Sequence, residues 1–171
     1  MATNSLTALI TGGTSGIGRA AANKLTSLGI HVIVVGRNAQ RGDKTIAEIR
    51  AAGGEADFIS SDLRDALRAR EVARKAIELG NGHVDILINN AGIYPFGPTH
   101  EMTEELFESV YSLNVKVPYF LVAELAPFNG QERQRGNRQS LDHGRRVRRA
   151  GHEPLWLKQG RHQSADQSMG G

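Results

Sequence analysis

Gly12, Gly16 and Gly18, with Thr14, Ser15 and Ile17 among them, stand where a short apolar stretch, 7–10, meets a helix-forming one, 19–28. Spaced as Gly-x-x-x-Gly-x-Gly, the glycines offer positive φ without a Cβ penalty, close approach of backbone N–H groups to an anion, and tight packing of helix on strand. That suits the cradling of a phosphate, above all the pyrophosphate of a dinucleotide. The plainer alternative, an ordinary tight loop, has no need of three glycines opening a helix. Four further sets of polar or small residues follow apolar runs: Arg37, Asp62 with Leu63, Asn90 with Ala91 and Gly92, and Asn114.

The elements that must position these residues alternate strand and helix. Residues 6–11 read as a strand, and 16–28 as a helix with Ile17, Ala20, Ala21, Leu25 and Leu28 at three-to-four spacing, stopped at Gly29. Residues 31–35 are, after His31, apolar and β-branched, as a strand buried on both faces of a parallel sheet must be. Helix 39–52, strand 56–60, helix 65–79 and strand 84–89 continue the alternation. Thr103 caps a helix whose first turn carries Glu104 and Glu105, and a last helix is expected over 109–126, bent at Pro118. Such alternation predicts an α/β fold, a Rossmann-like doubly wound parallel sheet with right-handed crossovers, truncated to about four strands and followed by an irregular C-terminal tail.

The 171 residues are 39% hydrophobic, contain no cysteine and carry a net charge of +3. Disulfides and thiolate metal sites are thereby excluded, and no metal site is expected. No apolar run approaches the roughly 18 residues of a membrane span, and the N-terminus lacks a signal pattern, so a cytoplasmic protein is expected. The charge is uneven. Residues 1–127 hold 12 basic and 14 acidic side chains, and residues 128–171 hold 9 and 4, so the stretches are net −2 and +5. Between Phe128 and Pro154 the large apolar residues are Phe128, Leu141 and Val147, too few to offset the entropy of ordering the segment. Two regions are expected: a dinucleotide-binding domain over 1–127 and a non-native or disordered tail over 128–171. A basic tail could suit a nucleic acid, but it has no interleaved aromatics or known motif, so no nucleic-acid partner is expected.

Thr11-Gly12-x-x-x-Gly16-Ile17-Gly18, Asp62-Leu63 after the third strand, Asn89-Asn90-Ala91-Gly92 after the fourth, and Leu113-Asn114-Val115 in the next helix together resemble the short-chain dehydrogenase/reductase family over about residues 6–127. The resemblance implies an oxidoreductase that transfers hydride between a nicotinamide cofactor and a small carbonyl or alcohol substrate. It implies that Gly12, Thr14, Ser15, Gly16, Ile17 and Gly18 hold the cofactor's pyrophosphate. Asp62 and Leu63 would meet the adenine, and Asn90, Ala91 and Gly92 the nicotinamide ribose. Asn114 would hold a water in the proton relay. Where many members place an acid that selects NAD(H), this chain has Gly36-Arg37, and a guanidinium suits a 2′-phosphate, so NADP(H) is favoured over NAD(H). Each residue also has a plainer use: an exposed arginine for Arg37, a solvated helix face for Arg19 and for Asn114, and a cap on the following helix for Asp62.

The family's chemistry requires a tyrosine with a lysine four residues on, and a serine about a dozen residues before that tyrosine. Tyr94, Tyr111 and Tyr119 have no such lysine, no tyrosine follows Tyr119, and the fourth residue before Lys158 is Pro154. The genetic code accounts for this. Codons for Pro154 to Gly160, read from their second base, permit Leu-Tyr-Gly-Ser-Ser-Lys, with the glycine forced by the Trp156 codon and the last residue restricted to Lys or Arg. The same shift lets 136–142 read Ala-Ile-Val-Asn-Leu-Ser-Thr, and lets 160–171 continue as a helix-forming stretch. Residues from about Phe128 onward therefore read as a dehydrogenase gene translated one base out of frame. The chain is expected to lack catalytic activity, and the alternative is a non-catalytic nucleotide-binding module or pseudoenzyme. The family usually forms homotetramers or homodimers, and this chain is expected to lack that interface.

Overall fold

The computed structural model describes the backbone of residues 6–140 and the side chains of 6–128. The chain divides into two compact units, Met1–Asn137 and Arg138–Gly171, and the sheet with the helices that cover it belongs to the first. Four parallel strands lie in the order β3-β2-β1-β4: β1 Thr7–Thr11, β2 His31–Gly36, β3 Ala56–Ser60 and β4 Ile86–Ile88. Helices α1 Gly16–Thr26, α2 Ala39–Ala51 and α3 Ala66–Leu79 fill the crossovers. After β4 come a single 3₁₀ turn, Thr99–Glu101, then α4 Glu104–Tyr111, a π-helical segment Ser112–Lys116, and α5 Val117–Ser140.

The largely apolar strands β1 and β2 form because both sheet faces are covered. Leu9, Ile33 and Val35 face one way, where Val72, Ala73 and Ala76 of α3 and Val117, Leu121 and Leu125 of α5 bury them. Their sequence neighbours Ala8, Ile10, Val32 and Val34 face the other, against Ala22, Ile46 and Ile49 of α1 and α2. Period two in the strands thus feeds two cores, the doubly wound arrangement the alternation predicts.

From β1 the chain winds outward through β2 to β3, then returns across to β4 on the other side of β1. The C-terminal ends of β1 and β4 therefore diverge at a topological switch point, where open α/β sheets bind ligands.

Several boundaries differ from the sequence reading. Asp65 lies outside α3 as its N-cap, accepting from the Arg68 backbone N–H at 2.8 Å. The single helix expected over 109–126 is instead α4, a π segment and α5. Pro118 has no N–H to offer the Asn114 carbonyl one turn back, and the chain widens to π geometry just before it. Helix α5 also runs through Pro127 to Ser140, where an irregular tail is expected from 128, because Gln131 to Gln134 are good helix formers. The rest of that tail, including Lys158, lies outside the described residues.

Candidate functional site: a dinucleotide cradle

Thr11, the last residue of β1, carries the connection on which the site is built. Its buried hydroxyl accepts the backbone N–H groups of Asn90 and Ala91, each at 3.0 Å, and is positioned to donate to the Ile88 carbonyl at 3.4 Å. Asn90 returns the contact: its side-chain amide donates to the carbonyls of Thr11 and Gly12, each at 3.1 Å. The turn after β1 and the turn after β4 are thereby locked together. Neither turn could satisfy its own polar groups so close to the core, and each supplies what the other lacks.

This lock explains two of the glycines. Gly12 has φ +65, a conformation β-carbons resist, and Gly18 sits so close that a Cβ there would lie 2.4 Å from Asn90 Nδ2 and 2.5 Å from the Gly12 carbonyl oxygen. The glycine turn is thus pulled flat onto the Asn90 loop, and its outer side stays open. Ser15 is the N-cap of α1 in extended conformation, and its hydroxyl makes no capping bond. No acidic side chain stands in the first turn of α1. A helix start with a free hydroxyl and no competing carboxylate fits a pyrophosphate.

A cavity of about 300 Å³ extends from this turn along the strand ends, walled by Gly12, Thr14, Ser15, Arg37, Asp62, Leu63, Asn90, Ala91, Gly92 and, unforeseen in the sequence, Asn38, Arg41, Ser61, Ile93 and Leu113. Leu63 is buried and gives the cavity an apolar wall. Arg37 is 76% exposed at the rim, its Nε 4.0 Å from Asp62 Oδ1. Gly16, Ile17, Gly18 and Asn114 do not wall the cavity. Gly18 packs behind its turn, Gly16 supplies a positive φ of +52 at the helix start, and Ile17 is 83% exposed. The described residues contain no cluster of His, Asp or Glu able to hold a metal ion.

Three of the plainer uses can now be assigned. Arg19 does lie on an exposed helix face, paired with Glu48 of α2. Asp62 does not cap α3, because Asp65 does, so the Asp62 carboxylate is left facing the cavity. Asn114 is not on a solvated face: Oδ1 accepts from the Ile93 N–H at 3.0 Å and Nδ2 donates to the Ile93 carbonyl at 2.9 Å. It braces the loop after β4, and the π segment is what turns it there. Gly92 belongs to the same brace, since a Cβ on it would stand 3.2 Å from Asn114 Oδ1.

Thr11 enters the sequence reading only as the first residue of the glycine motif, with no part assigned to its side chain. The signal for that part is a hydroxyl at the end of a largely apolar buried strand, a group that must find partners.

The model of the short chain dehydrogenase family matches residues 6–137. An uncharacterized oxidoreductase of Thermotoga maritima is 41% identical over 113 residues, covering 66% of this chain and 44% of that protein. The 2,3-dihydro-2,3-dihydroxybenzoate dehydrogenase of Bacillus subtilis is 36% identical over 107 residues, 63% of this chain and 41% of its own length. This chain thus spans less than half of either relative. Among solved structures, a metagenomic short-chain oxidoreductase in complex with NADP superposes with a TM-score of 0.69 at 35% identity, covering 73% of this chain and 57% of that one. A variant of actinorhodin polyketide ketoreductase with NADPH gives 0.70 at 34% identity, covering 78% and 51%. With the switch-point cradle, the interlocked turns and a family match over most of its length, the chain belongs to the short chain dehydrogenase family.

Proposed function

We propose that the chain is the nucleotide-binding part of an NADP(H)-dependent oxidoreductase that interconverts a small carbonyl compound and its alcohol in the cytoplasm. The observation that carries this reading is the open glycine turn held against Asn90, with Arg37 at the far rim of one continuous cavity. In it, Gly12 to Gly18 hold the pyrophosphate, Asp62 and Leu63 meet the adenine, and Asn90, Ala91 and Gly92 pass the nicotinamide ribose. Arg37 takes the 2′-phosphate, and Asn114 holds the loop beside the reacting end and, when substrate is present, a relay water. The cofactor, when bound, supplies or accepts the hydride. Proton transfer would fall to a tyrosine with its lysine, and this sequence has no such pair.

The chain as written therefore binds dinucleotide without turning over substrate, and residues from about 128 onward come from a one-base slip near the Pro127 codon. Titration of NADPH fluorescence with the purified chain tests binding, and a panel of ketones tests turnover. Saturable binding with no turnover is expected, whereas absent binding or measurable ketone reduction refutes the respective half. Sequencing the source DNA across codons 125–131 tests the slip: restoring the shifted frame is expected to yield a chain that reduces ketones. The small-molecule substrate is the only partner in this reading, and the homotetramer or homodimer of the family is expected only for the restored chain.

A further inference from the structure

Gly92 walls the dinucleotide cavity, and one aromatic ring leans on it without walling the cavity itself. A Cβ added to Gly92 would lie 3.3 Å from both Cε2 and the hydroxyl oxygen of Tyr94, and 3.2 Å from Asn114 Oδ1. The Tyr94 ring thus rests on the bare backbone of Gly92, beside the Asn114 brace. A side chain on residue 92 would push against the ring, so the glycine provides its seat.

Tyr94 is 78% exposed, and among the described residues nothing bonds its hydroxyl and no ring stacks on it. Its loop is stiff: Pro95 follows it and Pro98 closes the stretch, each fixing φ and biasing the residue before it to extended backbone. A tyrosine has two side-chain torsions to freeze, so on such a loop it offers a large flat face at little entropic cost. Beyond the Gly92 contact the fold makes no use of that face. Its position decides what it can meet. A substrate carbonyl must come up to the nicotinamide, whose ribose, in the proposed function, passes Gly92, and Asn114 Oδ1 lies as close to the same point. A group attached to that carbonyl comes within reach of the Tyr94 ring.

We infer that Tyr94 is a specificity-determining residue: its ring selects carbonyl substrates that carry a flat, conjugated group, aryl ketones and the corresponding benzylic alcohols, by stacking on that group. This rests on the proposed oxidoreductase reading and names its substrate class. The ring makes no bond to the reacting atoms, so hydride and proton follow the same course with or without it. Stacking needs a planar partner with π electrons. A saturated ring of the same size keeps the burial of apolar area and loses the stacking.

Ligand-observed NMR on the full chain loaded with NADP⁺, titrated separately with acetophenone and with cyclohexyl methyl ketone, tests this without turnover, because the oxidised cofactor has no hydride to give. Acetophenone is expected to bind about threefold to tenfold more tightly than its saturated counterpart. Tyr94→Leu, which keeps apolar bulk and removes the π face, is expected to make the two ketones equal, and Tyr94→Phe to keep the preference. The Tyr94 side chain bonds nothing in the fold, so Tyr94→Leu should bind NADPH and melt as the parent does. If the loaded parent binds neither ketone or prefers neither, if Tyr94→Leu keeps the preference, or if Tyr94→Phe loses it, the assignment of Tyr94 is wrong and the cofactor reading stands. A parent that binds no dinucleotide overturns both.

Discussion

At the residue scale, Thr11 braces the candidate site without itself walling the cavity. One hydroxyl serves two backbone donors at the start of the Asn90 loop, and Asn90 in turn fixes the glycine turn. Thr11→Val keeps the shape of the side chain and removes every hydrogen bond it makes. It leaves the Asn90 and Ala91 N–H groups unpaired at the sheet end, at a cost of about 1–3 kcal/mol for a buried unsatisfied group. Urea denaturation is expected to show that loss. Dinucleotide binding should weaken with it, and Thr11→Ser should restore much of both. An unchanged urea midpoint in Thr11→Val would show that the lock is dispensable. The three glycines were legible from spacing alone because glycine has few reasons to recur at that interval. The bonding of Thr11 was not, since a threonine ending a strand is common and its partners lie 77–80 positions away.

At the element scale, capping chemistry places the helices that carry the site. Asn38, Asp65 and Thr103 each accept from the backbone N–H three residues on, starting α2, α3 and α4. In the first turn of α4, hydrogen bonding to backbone, then to the Thr103 side chain, holds the Glu105 carboxyl below its ordinary pKa. A depressed folded value means that the stabilisation is present above the unfolded pKa and is lost as pH falls through the folded one. Acid titration followed by helical circular dichroism is therefore expected to show a loss of helix as Glu105 protonates, and Glu105→Gln is expected to remove that step. A step unchanged in Glu105→Gln would place its origin in another carboxylate. The strands and the first three helices were legible to within a few residues, because their periodicity is set by burial on both sheet faces. The break between α4 and α5 was not, because a single apolar periodicity runs through it and only the missing donor of Pro118 forces the π segment.

At the scale of the whole molecule, the same sheet that builds the cradle leaves apolar surface uncovered. Phe107, Tyr111, Val115, Tyr119 and Val122 recur at helical spacing along α4, the π segment and α5, all substantially exposed, and β4 is an edge of the described sheet with only β1 beside it. Exposed apolar rows and open strand edges promote association. Sedimentation velocity is expected to show concentration-dependent association, reduced in the double variant Phe107→Ser with Val115→Ser. A monodisperse monomer at every concentration would contradict this. The sequence by itself determined the α/β alternation, the glycine turn and the family's motifs, because these depend on local periodicity and on backbone conformations few residue types adopt. It also determined that the tyrosine and lysine pair is absent from this chain. Only the tertiary structure decided which polar groups are committed to the fold and which are left for a ligand. Arg19 is paired on the surface, Asn114 and the amide nitrogen of Asn90 are bonded to backbone, and Asp62 and Arg37 stand at the cavity. The physical reason is that hydrogen bonds and ion pairs are exclusive: whether a side chain is free depends on partners that the chain brings near only when the sheet has closed.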